Sequence, residues 1–341
     1  MTSIQKIIFI AIVMILFGNG CLLSDNETVL EACSQNPFVK KPEFRPGQAQ
    51  LQIGYYSDDS FYVTNVNLNV NEKKLWADGI YLIWSPNMRN IAYREKDSIC
   101  VIDYDRNSIS SVARGTNLSQ LSWSSDGKYI LYSALVNYEQ YEIYMVSLDG
   151  EITQLTYSPK SDDTNSVWSP SGNQIAFATR SNPVDAGDYI EHTLTISILD
   201  VLTKQVTPIV KDGFNPTWSP NGKLLLFESV DNEICLVNLE SQNRSCLTSN
   251  YYDYAPQWSP NGQQIAFTRI DNGDWLIYTM NVDGSNQTMI ASGIFPVWSP
   301  DGSQIAFGTG GENPDIYIVN ADGTNPVLIA KNAWGYTWFQ P

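Results

Sequence analysis

The chain has 341 residues, 43% of them hydrophobic and 12% aromatic, which supplies a large core and excludes a disordered chain. Thirty-six Asp and Glu against 20 Lys and Arg give a formal charge of −16. That charge repels phosphate backbones and anionic lipid head groups and so argues against nucleic acid as a partner.

Residues 1–20 read as a signal peptide. They carry one early positive charge at Lys6, an unbroken apolar run at 7–17 that is short for a membrane span, and small residues before Cys21. A cysteine directly after Gly20 resembles the lipidation site of bacterial lipoproteins, although Gly18 stands where that motif carries an aliphatic residue. The resemblance implies a diacylglyceryl group on Cys21 and a membrane-anchored location at the cell envelope, periplasmic or extracellular, with the lipid as the only membrane contact. Plain secretion is the alternative. Residues 21–47 then form a linker, and 48–341 a single folded domain.

Export makes the remaining cysteines candidates for disulfides. Cys235 and Cys246 fall on what should be neighbouring strands of one hairpin, within roughly 6 Å between Cα atoms. Cys33 and Cys100 pair by elimination, with free buried thiols as the alternative for both pairs. The chain has one histidine and no Cys-x-x-Cys, so no metal or cofactor is expected.

From residue 83 onward one motif recurs: "IWSPNMRNIAY" (83–93), "SWSSDGKYILY" (122–132), "VWSPSGNQIAF" (167–177), "TWSPNGKLLLF" (217–227), "QWSPNGQQIAF" (257–267), "VWSPDGSQIAF" (297–307) and a truncated "YTWFQP" (336–341). Its tryptophans, Trp84, Trp123, Trp168, Trp218, Trp258, Trp298 and Trp338, are spaced by 39, 45, 50, 40, 40 and 40 residues. A period near 40 with a tryptophan and a turn in each copy is the signature of a β-propeller.

Each copy holds four short strands rich in Ile, Val, Tyr and Phe, divided by Gly, Asn and Asp turns. Residues 50–77 offer three strands with no preceding motif, and the C-terminal "GYTWF" offers an inner strand with nothing after it. The expected fold is therefore all-β, a seven-bladed propeller of four-stranded antiparallel blades. Its ring closes where the C-terminal inner strand joins the N-terminal strands, leaving no free edge.

Within the motif, Pro pre-sets φ at the turn and Gly accepts its positive φ. Pro216, Pro256 and Pro296 fit an inner edge strand that lacks a ladder partner. The tryptophan fills the space between blades.

"PxWSPDGxxIAF…DIYxxNxDG" resembles the TolB-type propeller repeat, also found in tricorn-like and dipeptidyl-peptidase-like propellers, over residues 48–341. That family's propeller has six blades, follows an α/β domain and docks a peptidoglycan-associated lipoprotein. Here there are seven tryptophan copies and only 26 residues between Cys21 and residue 48. The resemblance implies the architecture and a protein-interaction role at the envelope.

Chemistry is hard to find. A Ser-His-Asp triad would need His192, and no G-x-S-x-G accompanies it. "NVDGSN" (281–286) and "NADGTN" (320–325) read as tight turns, because a Ca²⁺ loop of the EF type needs a further acid at its twelfth position. Binding is the better reading, on the face carrying the variable loops. Tyr157, Asp188, Phe214, Tyr252, Asp253, Tyr254, Phe295, Trp334 and Tyr336 would cluster there near the channel mouth. The expected role is a non-catalytic, monomeric scaffold for an envelope protein or peptide. An oligosaccharide or peptidoglycan fragment is the alternative ligand, and a hydrolase or lyase the third reading.

Overall fold

The computed structural model describes residues 52–339, apart from 58–59, 66–72, 78–79, 88, 104–105, 107, 120, 137–139, 182–183, 186–189, 192 and 250. The expected signal peptide, the linker, Cys21, Cys33, Asp188 and His192 lie outside the described residues.

Six four-stranded antiparallel sheets follow one another along the chain, each with its strands paired in chain order apart from one inserted hairpin. Each is named below by its tryptophan, from the Trp84 blade to the Trp298 blade. One further four-stranded sheet unites the chain ends: Lys73–Ala77, Ser60–Asn65, Gln52–Ser57 and then the C-terminal Ala333–Phe339, with Ile53 opposite Trp338. The Trp168 blade holds the exception to its expected irregular loop, because Val184–Asp185 pairs with Ile190–Glu191 as a small separate hairpin.

Inner strands of successive blades pack on one another, and Ala333–Phe339 packs on Ile80–Trp84 to close the circuit. The core lies between blades rather than within them. In one such layer Ala266, Ile277 and Ile290 of the Trp258 blade meet Trp298, Ile305, Phe307 and Val319 of the next. This arrangement follows from the second strands, such as Gln304–Gly308, which are buried on both faces and therefore read as continuous apolar runs.

The tryptophans do more than fill space. Trp123, Trp218, Trp258, Trp298 and Trp338 each donate the indole N–H to the backbone carbonyl just before the previous blade's tryptophan: Ile83, Val167, Thr217, Gln257 and Val297, at 2.9–3.3 Å. Trp168 departs from this pattern, its indole N–H being buried without a hydrogen-bond partner.

The turn after each tryptophan is organised by its serine, a role absent from the Pro-Asp-Gly reading of the sequence. Ser299, fully buried, donates Oγ–H to Asp301 Oδ1 at 2.7 Å and accepts the Gln304 N–H at 2.9 Å. Ser219 and Ser259 do the same with Asn221 and Asn261. Gly302 completes the turn at φ 71°, and its Cα faces Pro260 of the preceding blade closely enough that a Cβ would lie 3.6 Å from the ring.

Cys235 and Cys246 are joined by a disulfide across paired strands, with Cα atoms 3.9 Å apart. Cys100 is buried and disulfide-bonded.

Truncating Trp338 removes a buried indole and its N–H bond at the place where the chain ends meet. Trp338→Ala should cost about 3–5 kcal/mol, lowering the melting temperature by roughly 10 °C; calorimetry showing no change would mean that the composite sheet contributes nothing to the ring.

Candidate functional site

Each inner strand runs from the face of variable loops toward the motif turn, and all but the two-residue Ser122–Trp123 show a register shift in their pairing. The residue three before the tryptophan adopts the left-handed conformation: Asn165 (φ 54°), Asn215 (50°), Ala255 (52°), Phe295 (54°) and Gly335 (61°). The pairing register shifts across these positions. Pro216, Pro256 and Pro296 sit inside the bulges, where no ladder bond is owed, which refines the edge-strand explanation for them.

Asn and Gly tolerate positive φ, whereas Ala and Phe do not, so Ala255 and Phe295 are held there at a cost of the order of 1–2 kcal/mol each. The holding groups are visible. Thr268 Oγ1 accepts the Phe295 N–H at 3.0 Å. The Tyr336 hydroxyl bonds the carbonyls of Ile294 and Phe295. Tyr254 meets the Phe295 ring edge to face, with centroids 5.9 Å apart, and Trp275 at 5.8 Å. Clamped on these sides, Phe295 still leaves 43% of itself exposed.

Beside this aromatic cluster lie buried charges. Glu228, 6% exposed, accepts the Ala255 N–H at 3.0 Å and the Asn215 amide at 3.1 Å through one oxygen. Burial without a cation pushes its carboxyl up to about 7. Burial, with Glu228 nearby, also pushes the Tyr254 phenol up, and burial alone does so for Tyr336.

In the Trp258 blade, Asp253 and Arg269 form a buried bidentate ion pair at 2.7 and 2.8 Å. The guanidinium also bonds Gln287 and lies 4.0 Å from the Tyr251 ring centroid. Asp163 holds the place of Asp253 in the Trp168 blade, but there Thr179 replaces the arginine. Its carboxylate accepts the Thr179 and Ser158 hydroxyls, while Glu142 accepts the Thr156 hydroxyl and the Ser158 N–H. Desolvation raises both Glu142 and Asp163 above the usual carboxylate range.

The expected binding residues therefore separate into groups. Tyr254, Phe295 and Tyr336 come together as one cluster. Phe214 lies opposite Glu228 in the ladder, and Tyr252 is half-buried opposite Ile270. Tyr157 is 79% exposed on its own loop. The Trp334 backbone pairs with Tyr56 in the composite sheet. Asp253 and Tyr254 correct the expectation of exposed acids and aromatics, because Asp253 is spent on Arg269 and Tyr254 is a buried support for Phe295.

Glu228, Thr268 and Arg269 were absent from the expected set. The signal for Glu228 was present in "LLLFES", an acid inside an otherwise apolar buried strand. In the 281–286 and 320–325 stretches, Asp283 and Asp322 each accept the backbone N–H and hydroxyl of a residue two positions on, as turn acceptors.

Residues 190–337 match the TolB beta propeller domain. Similar solved structures include TolB from Acinetobacter baumannii, at 16% identity and TM-score 0.54, covering 84% of this chain and 66% of that one, just under two thirds of its length. A putative TolB from Agrobacterium tumefaciens has 20% identity and TM-score 0.54 over 75% of this chain and 96% of that one. An oligogalacturonate lyase from Vibrio parahaemolyticus has 14% identity and TM-score 0.62 over 83% and 85%. At these identities the likeness is one of fold, shared by proteins of different activity. No curated protein matches the sequence.

Two outcomes follow from the buried charges. Native Glu228 keeps its proton to about pH 7 while the unfolded chain releases it near 4.5. Its contribution to stability is therefore fully present below pH 4.5 and declines by about 3 kcal/mol as pH rises to 7. Glu228→Gln should shrink the difference in melting temperature between pH 5 and pH 8 by several degrees; an undiminished difference would refute the assignment. Arg269→Met should cost about 3–5 kcal/mol in denaturant unfolding, because it strands buried Asp253, and adding Asp253→Leu should recover more than half of the loss.

Proposed function

We propose that this chain, whose residues 190–337 match the TolB beta propeller domain, is a TolB-like, non-catalytic binding protein of the cell envelope, exported and anchored through a lipidated Cys21. On this reading the composite sheet is the seventh blade of the ring, and the partner is an envelope protein or peptide that docks on the loop face around Phe295.

One observation carries the reading. A strained, half-exposed phenylalanine is fixed by three neighbours, Thr268, Tyr336 and Tyr254. Backbone strain of this kind persists where the surroundings over-determine it, and it gathers at binding and catalytic sites. An aromatic anchor with its rotamer and backbone already fixed loses little entropy on binding, which makes it a good contact centre.

The reading as a binder rather than an enzyme draws support from how the acids are used. The carboxylates of Glu142, Asp163 and Glu228 accept bonds from threonine, serine and asparagine side chains and backbone N–H groups, and Asp253 is neutralised by Arg269. These are structural duties.

The test is capture from detergent-solubilised envelope with the full-length protein as bait. Wild type should retain a discrete protein, and Phe295→Ser should lose at least ten-fold of it with an unchanged melting temperature. Retained glycan in place of protein would assign the face to an oligosaccharide, and equal retention by both forms would move the binding surface elsewhere.

A further inference from the structure

The hairpins that join second to third strands stand on the loop face, and in three consecutive blades they carry acids without a base. The Trp218 blade has Asp231 and Glu233, the Trp258 blade Asp271 and Asp274, and the Trp298 blade Glu312 and Asp315. None of residues 229–235, 270–275 or 309–316 is a lysine or arginine. Asp231, Asp274 and Glu312 are exposed and the other three half-buried, and among the described residues none of the six forms an ion pair. Between Lys211 and Lys331 the chain's cations are Lys223, Arg244 and Arg269. Lys223 belongs to a motif turn on the opposite face, Arg244 lies on a fourth strand and bonds the Lys211 carbonyl, and Arg269 is neutralised by Asp253.

These hairpins are held in place by their backbones, each tied to the start of the next inner strand. The carbonyl of Asn232 accepts the Asp253 N–H at 3.0 Å, that of Trp275 the Gly293 N–H at 2.8 Å, and that of Pro314 the Ala333 N–H at 2.7 Å. Phe295 therefore stands between two acidic tips. Gly293 is bonded to the 271–274 hairpin, and Ile294 packs beside Gly310 of the following one, its Cδ1 3.5 Å from where a Cβ would stand. Val230, at the tip of the first hairpin, and Tyr251, at the entry to the Trp258 blade, are exposed in the same sector.

Carboxylates fixed on one frame repel one another and any anion, so the sector disfavours phosphates, acidic sugars and a second copy of a chain whose formal charge is −16. The complementary group is a cation, and an apolar side chain must accompany it to cover Phe295. We propose that the partner docking around Phe295 is a basic protein segment in which lysine or arginine alternates with apolar side chains. Its cations reach the hairpin acids while an apolar side chain lies on Phe295. The site is that of the loop-face reading above, on which the proposal rests; the partner's charge and patterning are what it adds.

Fluorescence anisotropy tests it, with the full-length protein and two labelled synthetic peptides. One repeats lysine, phenylalanine and glycine, and the other has glutamate in place of lysine. The lysine peptide should bind at least about ten-fold more tightly, and its affinity should fall several-fold between about 50 and 500 mM salt. Asp271→Asn, Asp274→Asn and Glu312→Gln combined should weaken it about ten-fold. Asp149→Asn, Glu151→Gln and Glu240→Gln combined, which remove the same charge from the turn face, should change it by less than about two-fold. Failure of either peptide to bind, equal binding of the two, or equal losses from the two sets of substitutions overturns the proposal. Phe295→Ser separates it from the reading of the site. Binding that needs the hairpin acids but survives Phe295→Ser would uphold the basic partner and refute Phe295 as its centre; binding lost in Phe295→Ser but indifferent to the acids would do the reverse.

Discussion

The interaction on which the rest of the molecule depends is the hydrogen bond from a buried indole to the backbone of the preceding blade. A four-stranded sheet of this size cannot bury both its faces alone, so each blade is stable only against its neighbours. The tryptophan supplies the apolar surface for that contact, and its N–H fixes the angle by reaching a carbonyl just before the previous tryptophan. Because donor and acceptor occupy equivalent positions in the five repeats that make it, one contact leads to the next, and the last, from Trp338 to Val297, brings in the C-terminal strand. The serine that follows turns the strand, and the glycine after it lets that turn rest on the previous proline.

Regularity on the turn face leaves the loop face free to vary, and the bulges show how. A shared backbone deviation three residues before five of the tryptophans is accommodated by Asn or Gly in three sheets and forced on Ala or Phe in two others. The forced positions are the ones with side-chain caps, and they adjoin the ion pair of Asp253 with Arg269 and the buried Glu228. Strain, buried charge and an exposed aromatic thus coincide on one sector of the ring. The Asp163 sector keeps the acid, replaces arginine with threonine, and balances its charge with hydroxyl donors instead.

Much of this architecture could be read from residues in order. Seven copies of one tryptophan turn, and the three-strand surplus at one end matched by the one-strand surplus at the other, foretold the sheet that unites Gln52–Ser57 with Ala333–Phe339. The site was harder to read. Tyr254, Phe295 and Tyr336 were picked out as aromatics in variable loops, yet Tyr254 proves to be a support and Phe295 the exposed group. Asp253 looked like a surface acid because its partner, Arg269, lies 16 positions away on the next strand.

What the sequence determined by itself is the repeat: the period, the turn chemistry and the apolar strands are local properties, carried by neighbouring residues whose meaning does not depend on distant ones. What only the tertiary structure decided is the state of each polar and aromatic group on the loop face. Whether Glu228 is charged, whether Asp253 is free and whether Phe295 is buried depend on desolvation and on partners from another strand or blade. Those energies do not exist until the blades are packed together.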